Sequence, residues 1–423
     1  MSRGILIAAP SSGAGKTTIT LGLMAALKAK GVSVSSAKSG PDYIDGRFHE
    51  AATGKPCINL DAWAMSSDRL RQLAPGDDLL VVEGAMGLFD GAPPDGQGSA
   101  ADLATALDIP IILVVDAARQ SQSIAALVHG FSSLRASPKI AGVILNRVGS
   151  ERHKMMLTKA LQKIDIAVIG AIPSRKDLAR PSRHLGLVQA REQVDIADFI
   201  ETARDLIAEN VDLEAVQRIA TPTAQKTNAK RLPPPAQYIA IARDDAFDFL
   251  YPHFVQDWRI QGAELSFFSP LADEAPARDH FVFLPGGYPE LHAGKLAANQ
   301  TFMTGVQKAP KVYGECGGYM VMGDGLIDAD GHRHQMAGLL RLETSFETRT
   351  RHLGYRQLTP QGGPWEIPLN GHEFHYATTL KAKGDPLFYV KDAEGQNLDP
   401  GGLINGANCG SFMHVIDAAH SEA

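Results

Sequence analysis

Residues 5–18 read I-L-I-A-A-P-S-S-G-A-G-K-T-T. The apolar run from Ile5 to Ala9 has the length and composition of a buried strand. Ser11, Ser12, Gly13, Ala14, Gly15, Lys16, Thr17 and Thr18 follow, and then Ile19, Leu21, Leu23, Met24 and Leu27 recur at helical spacing. Strand, glycine-bearing loop, Lys-Thr and helix form the context that a phosphate-binding loop needs. Gly13 and Gly15 let backbone N–H groups close around phosphate oxygens, and the helix N-terminus adds favourable partial charge. Lys16 is placed to reach the terminal phosphates of ATP, Thr17 to ligate Mg²⁺, and Thr18 to contact the nucleotide. Pro10 stands where such loops usually carry their first glycine. The competing reading, a plain strand–turn–helix with a surface lysine, does not account for the context on both sides.

Working outward, apolar runs that end in polar or glycine-rich turns recur. Residues 31–38 predict a strand leading into Ser39-Gly40-Pro41-Asp42-Tyr43-Ile44-Asp45-Gly46, read as a turn carrying two carboxylates. Residues 79–82 predict a buried strand ending at Glu83, a position from which an acid holds Mg²⁺. The loop Gly84 to Gly91 then brings Asp90 over the same rim. Further strands are predicted from Pro110 to Val115, ending at Asp116, from Ile140 to Leu145, ending at Asn146, and from Ala167 to Gly170. Helical patterns at 123–134 and 154–164 separate them. This alternation predicts an α/β fold with a doubly wound, mainly parallel sheet whose ligands lie beyond the strand carboxyl ends. Asn146 belongs with the ATP-binding residues on that ground. Arg175, Arg180 and Arg183 concentrate positive charge in an acidic chain and are candidates for anionic-substrate or phosphate contacts.

Residues 221–236 are polar, proline-rich and aperiodic, which predicts a linker between a domain over 1–220 and a second over 237–423. The second begins with a strand at Tyr238 to Ala242. Two more strands are predicted there. His280 to Leu284 leads into Pro285-Gly286-Gly287, and Lys311 to Tyr313 leads into Gly314-Glu315-Cys316-Gly317-Gly318. A cysteine between glycines at a strand-to-helix junction predicts a nucleophile elbow, with a helix N-terminus that favours thiolate. Gly286, Gly287 and Gly317 are candidates for oxyanion donors. A base is required, and His372, His375 and His414 are available. Cys57 and Cys409 lack such surroundings and read as structural.

At 423 residues, 44% hydrophobic and 21% charged, the chain has a globular composition and room for two or three domains. A net charge of −6 gives no indication of nucleic acid, and no apolar run approaches a membrane span. Three widely spaced cysteines and a start that runs straight into a strand are read as cytoplasmic, with no disulfide framework.

Taken in order, these motifs resemble the cobyrinic (or hydrogenobyrinic) acid a,c-diamide synthases of cobalamin biosynthesis. The motifs are Ser12–Thr18, Gly40–Asp45, Val82–Gly91, Arg183-His184-Leu185-Gly186-Leu187, Leu284–Glu290, Gly314–Gly318 and Gly371-His372-Glu373-Phe374-His375-Tyr376. The resemblance spans essentially the whole chain. It implies a dethiobiotin-synthetase-like ATP domain and a class I glutamine amidotransferase domain of flavodoxin-like α/β fold. It further implies ATP- and Mg²⁺-dependent amidation of two corrin carboxylates with nitrogen from glutamine. A homodimer is compatible with it. Cys316 becomes the glutaminase nucleophile and His414 its base, with His375 in support. Asp42, Tyr43, Ile44, Asp45, Glu83 and Asp90 match positions linked to substrate handling and synthetase chemistry. Relatives carry a second histidine two residues after the base, whereas Ile416 stands here. The glutamate that many class I amidotransferases place there is absent too, so the group that orients His414 is left open. Cobyric acid synthase, a nickel-sirohydrochlorin diamide synthase and a regulatory partitioning-type ATPase are the alternatives.

Overall fold

A computed structural model describes residues 3–76, 78–175 and 196–420. The chain forms two compact units, Met1–Ala229 and Lys230–Ala423. Arg180 and Arg183 lie outside the described residues.

The first unit is built on a sheet whose strands are β1 (Arg3–Ala8), β2 (Val34–Ser39), β3 (Ile58–Leu60), β4 (Leu79–Glu83), β5 (Ile111–Asp116), β6 (Ile140–Val148) and β7 (Val168–Pro173). Their spatial order is β3-β2-β4-β1-β5-β6-β7, all parallel. Burial on both faces explains the near-continuous apolar runs of β1 and β4: Ile5, Leu6 and Ile7 on β1 and Val81 and Val82 on β4 are fully buried. Helices α1 (Lys16–Ala29) and α2 (Ile44–Thr53) follow the first two strands. The structure differs from the expected turn at 40–46. Asp42 Oδ1 accepts from the backbone N–H groups of Ile44 (2.8 Å) and Asp45 (3.1 Å), which satisfies two amides that a helix start leaves unpaired. The segment therefore becomes a helix with Asp45 in its first turn, and Ile44 packs against the core rather than standing on a loop.

The expected linker starts as a short strand, β8 (Thr221–Pro222), antiparallel to β1. It continues against the first unit, with Ala224 N–H donating to Leu107 O and Thr227 Oγ1 to Asp68 O. Its lack of periodicity reflects an extended path, since most of its polar groups lie at the surface.

In the second unit, β9 (Tyr238–Ala242), β10 (Glu264–Phe268), β11 (Phe281–Leu284) and β12 (Lys311–Glu315) join the strand Asn408–Ser411 in the order β10-β9-β11-β12-(408–411). These five are parallel, in the 2-1-3-4-5 order of flavodoxin-like sheets. The strand Leu403–Asn405 closes the edge antiparallel. Residues between β12 and the fifth parallel strand, together with the strand that follows it, build two further sheets. One is antiparallel and contains His352–Pro360, Leu369–His375, Phe388–Lys391 and Met413–Ala418. Among the described residues, no helix is long and apolar enough to cross a membrane.

Candidate active sites

In the first unit, the turn between β1 and α1 carries Gly13 at φ +81° and Gly15 at φ +90°, a region that favours glycine. Gly15 is also required by space. A Cβ there would lie 2.4 Å from Asn146 Nδ2, and that amide donates to Ala14 O at 2.8 Å. Asn146, at the end of β6, thus holds the loop backbone. It also lines a cleft with Gly15, Thr18, Arg147, Pro173 and Arg175.

Parallel register brings Lys38 on β2 beside Glu83 on β4. The Lys38 ammonium donates to Glu83 Oε1 at 3.0 Å and to Asp45 Oδ2 at 2.6 Å, and lies 3.9 Å from Asp42 Oδ2. Thr17 Oγ1 donates to the same Glu83 oxygen at 2.6 Å. His49 Nε2 meets Glu83 Oε2 at 2.7 Å. Glu83, Lys38 and His49 are all buried. Burial alone would neutralise Glu83, but Lys38, His49 and Thr17 hold its carboxyl well below the usual range. Burial likewise opposes charge on Lys38, and Asp45 and Glu83 outweigh it, raising its pKa. For His49, burial is overcome by Cys57, whose Sγ lies 3.5 Å from Nδ1, and by Glu83, and the pKa rises to about 10. Asp45 is raised to about 6 by burial and by Asp42. Lys16 is lowered by burial and by Lys38, and its ammonium donates to Met86 O.

The structure thus brings together Lys16, Thr17, Asp42, Asp45 and Glu83. Tyr43 stands at the start of α2. Asp90 turns onto its own loop, where Oδ2 accepts from Gly87 N–H at 2.8 Å. Lys38, His49 and Asn59 escape a motif-based reading. Asn59 Nδ2 donates to Gly40 O at 3.0 Å and Asp42 O at 2.8 Å, pinning the carboxylate turn. The available signal for Lys38 is a charged residue near the end of a strand of otherwise small residues.

A divalent cation needs hard oxygen donors. The Thr17 hydroxyl and the buried, ionised Glu83 carboxylate, together at the head of the loop, fit Mg²⁺ on that criterion.

In the second unit, Cys316 adopts φ +46°, ψ −105° at the junction of β12 with the short helix Gly317–Val321. Its amide donates to Ser411 O at 2.8 Å, which ties the elbow to the neighbouring strand. A Cβ on Gly317 would sit 2.7 Å from Pro289 Cδ and 3.1 Å from Gly287 N, and one on Gly286 would sit 2.3 Å from His414 Cε1. Gly286, Gly287, Gly317 and His414 therefore pack around one turn next to Cys316. His372 lies opposite His414 in strand register.

The expected thiolate is corrected. Burial, with Glu290 nearby, pushes the Cys316 thiol far up, and a helix of five residues offers too little to reverse it. Burial, with His372 and His375 nearby, lowers His414 to about 3. Burial thus favours the neutral forms of both the thiol and the imidazole. Glu315 is also raised by burial, to about 8.

His352, Glu373 and His375 place ligand-type atoms within 4.8 Å of one another. The two imidazoles stack at 4.5 Å with an interplanar angle of 11°. Stacked rings direct their lone pairs along parallel planes rather than at a shared ion. Arg356 also pairs with Glu373 at 2.7 Å. The ion pair in this cluster is Arg356 with Glu373, which also meets His375 Nε2, and burial lowers the pKa of His375. Cys57 touches His49, and Cys409 is buried on the strand next to β12.

Residues 5–188 match the CobQ/CobB/MinD/ParA nucleotide binding domain, and residues 238–421 match the CobB/CobQ-like glutamine amidotransferase domain. A hydrogenobyrinate a,c-diamide synthase from Brucella anthropi is 53% identical over all of both chains. The proteins of that name from Rhizobium meliloti and Rhodobacter capsulatus are 52% and 47% identical, each over 98% of this chain and 99% and 98% of their own. With both domain families matched in order and the identity sustained from end to end, the chain belongs to the family of the hydrogenobyrinate a,c-diamide synthases.

Proposed function

We propose that this protein amidates the a and c carboxylates of hydrogenobyrinic acid, using ATP to activate each carboxylate and glutamine to supply nitrogen. One observation carries the reading. A chain that matches those synthases over its whole length holds both a Lys16–Thr17 phosphate loop and a Cys316 elbow packed beside His414.

In the first unit, backbone amides of residues 13–17 and the Lys16 ammonium bind the ATP phosphates. The cleft lined by Thr18, Asn146, Pro173 and Arg175 takes the nucleoside. A substrate carboxylate attacks the γ-phosphorus and ADP leaves. The acyl phosphate gains the leaving group that a carboxylate lacks. Lys16 and Lys38 offset the charge in transfer. Thr17 and Glu83 would hold Mg²⁺, which when bound neutralises phosphate charge. Asp42, Tyr43, Asp45 and Asp90 line the substrate side, and Arg180 and Arg183 meet other carboxylates of the ring.

In the second unit, Cys316 Sγ attacks the glutamine side-chain amide while His414 takes the thiol proton. The N–H groups of Gly286, Gly287 and Gly317 receive the oxyanion. The proton passes to the leaving nitrogen, ammonia departs, and water hydrolyses the thioester to glutamate. Unprotonated ammonia then displaces phosphate from the acyl phosphate. Mass spectrometry of the products formed from hydrogenobyrinic acid, ATP and glutamine tests the reading. Two carboxyl-to-amide conversions are expected, with fragmentation placing them at a and c; amides at other side chains overturn it.

A further inference from the structure

Glu315 immediately precedes the nucleophile and is 1% exposed. Its two oxygens face different surroundings. Oε1 accepts from Tyr313 OH at 3.0 Å and from Val415 N–H at 3.2 Å. Oε2 lies 3.9 Å from His414 Nδ1. Val415 follows His414, so the strand that carries the imidazole also anchors the carboxyl. Among the described residues, His372, Glu373 and His375 on the paired strand act on His414, and Gly286, which packs against His414, lies beside the Cys316 elbow. Glu373 is engaged by Arg356 and by His375 Nε2 at 3.1 Å.

We propose that Glu315 is the positioning residue for His414: its Oε2 accepts the Nδ1 proton and leaves Nε2 as the base for the Cys316 thiol. The inference rests on the reading of Cys316 and His414 as the glutaminase pair. Catalytic hydrogen bonds are often long before substrate binds, and the 3.9 Å separation shortens in the complex. As the S–C bond forms, Nε2 takes the thiol proton, and the ionised Glu315 faces the resulting imidazolium. The Nε2 proton then goes to the departing amide nitrogen, and Glu315 ends the cycle ionised as it began. Carboxylates that serve catalytic histidines in this way set the tautomer without accepting the proton. Here the carboxylate comes from the residue before the nucleophile, which removes the need for an acid after His414. Burial raises the Glu315 pKa to about 8, so the competent form grows as pH rises through that value.

Glu315→Gln tests this without changing volume. Its amide oxygen still accepts from Tyr313 and Val415, but its NH₂ now faces Nδ1 as a donor. It therefore selects the tautomer protonated at Nε2, which cannot act as the base. The expected result is a fall in kcat for glutamine hydrolysis of about 10³-fold with KM for glutamine unchanged. The rise of wild-type kcat through pH of about 8 should vanish, and Glu315→Asp should recover part of the rate. Wild-type kcat and pH profile in Glu315→Gln overturn the proposal. A second measurement uses the unaltered protein: ¹⁵N shifts of His414 above that pH should report a proton on Nδ1, and a proton on Nε2 overturns it. Glutamine hydrolysis that survives in Cys316→Ala removes the underlying nucleophile reading instead, a separable outcome.

Discussion

The two candidate sites respond to burial in opposite ways. Around Glu83, burial is opposed by counter-charges at hydrogen-bond distance, and the groups remain ionised: a carboxylate between an ammonium, an imidazole and a hydroxyl. Around Cys316, burial outweighs the neighbouring charges, and thiol, imidazole and carboxyl are all pushed toward their neutral forms. The contrast follows the chemistry. A site that receives a polyanion and transfers a phosphoryl group benefits from charge arranged in advance. A site that makes charge only during attack can rest neutral, with the nucleophile inert until substrate brings the proton acceptor into line.

The largest expected effect breaks the two sites apart. Cys316→Ala should lower glutamine-dependent turnover roughly 10⁶-fold, to background, as loss of a nucleophile does elsewhere, while turnover with free ammonia persists. Lys16→Ala should lower synthesis about 10³-fold with either nitrogen donor. Parallel assays with glutamine and with ammonium salts check both. If ammonia fails to rescue Cys316→Ala, the two-site division is wrong. If Lys16→Ala keeps wild-type rates, the first loop is not part of the mechanism.

Stability should separate the sites next. Glu83→Gln leaves Lys38 and His49 buried without their shared carboxylate, and removing one partner of a buried ion pair costs about 3–5 kcal/mol. Denaturant unfolding of the variant measures it. Cys316→Ala, which removes only a neutral sulfur, should cost less than half as much. Equal losses would mean that the pairing at Glu83 adds nothing beyond packing.

The pH dependence sharpens the same point. The folded-state pKa of His49 is raised to about 10 from an ordinary value near 6.5. Its contribution to stability is therefore complete below 6.5 and is lost as pH climbs through about 10. Glu83 works in the other direction. Its depressed pKa contributes stability above its ordinary value of 4.5 that is lost as pH falls below it. Urea midpoints against pH for the wild type and His49→Gln should differ in slope across the alkaline interval only. Identical slopes would show that His49 does not carry the charge.

The strands that end in chemistry were legible because both signals coincide. Leu79–Val82 is a buried apolar run that stops at Glu83, which the interior would not accept unpaired, and Cys316 stands between β12 and two glycines at a tight turn. Lys38 follows Val34-Ser35-Ser36-Ala37 rather than an apolar run, so it reads equally as an ordinary surface lysine or as a buried site residue. Only the register of β2 against β4 distinguishes the two cases. Helix α2 was hidden by Gly46 and by the Gly-Pro turn before it, and Asp42 supplies the hydrogen bonds that start it. The antiparallel strands 352–360 and 369–375 leave little sequence signal, since many of their residues are only half-buried and the alternation is weak. Glu315 stands within the Gly314–Gly318 motif, but its proposed role depends on the distant strand that carries His414 and Val415, a relation no local pattern contains.

The smallest expected effect concerns Asn146, where the sequence signal and the geometry agree on location but differ on action. The amide is expected at the nucleotide because it stands near the carboxyl end of a parallel strand, at the ligand edge of the sheet. Its Nδ2 donates to Ala14 O inside the loop, so it also fixes the backbone that must present N–H groups to phosphate. Asn146→Ala removes one such bond, worth about 1 kcal/mol net. It also gives Gly15 room that the wild type denies it. A looser loop spends more binding energy on ordering itself, so KM for ATP should rise about fivefold to tenfold with kcat little changed. The glutaminase rate with glutamine alone should stay at the wild-type value, since the side chain belongs to the other unit. A fall in kcat at saturating ATP would instead put Asn146 in the transfer step and move it from the frame of the loop to the charge array around Lys16.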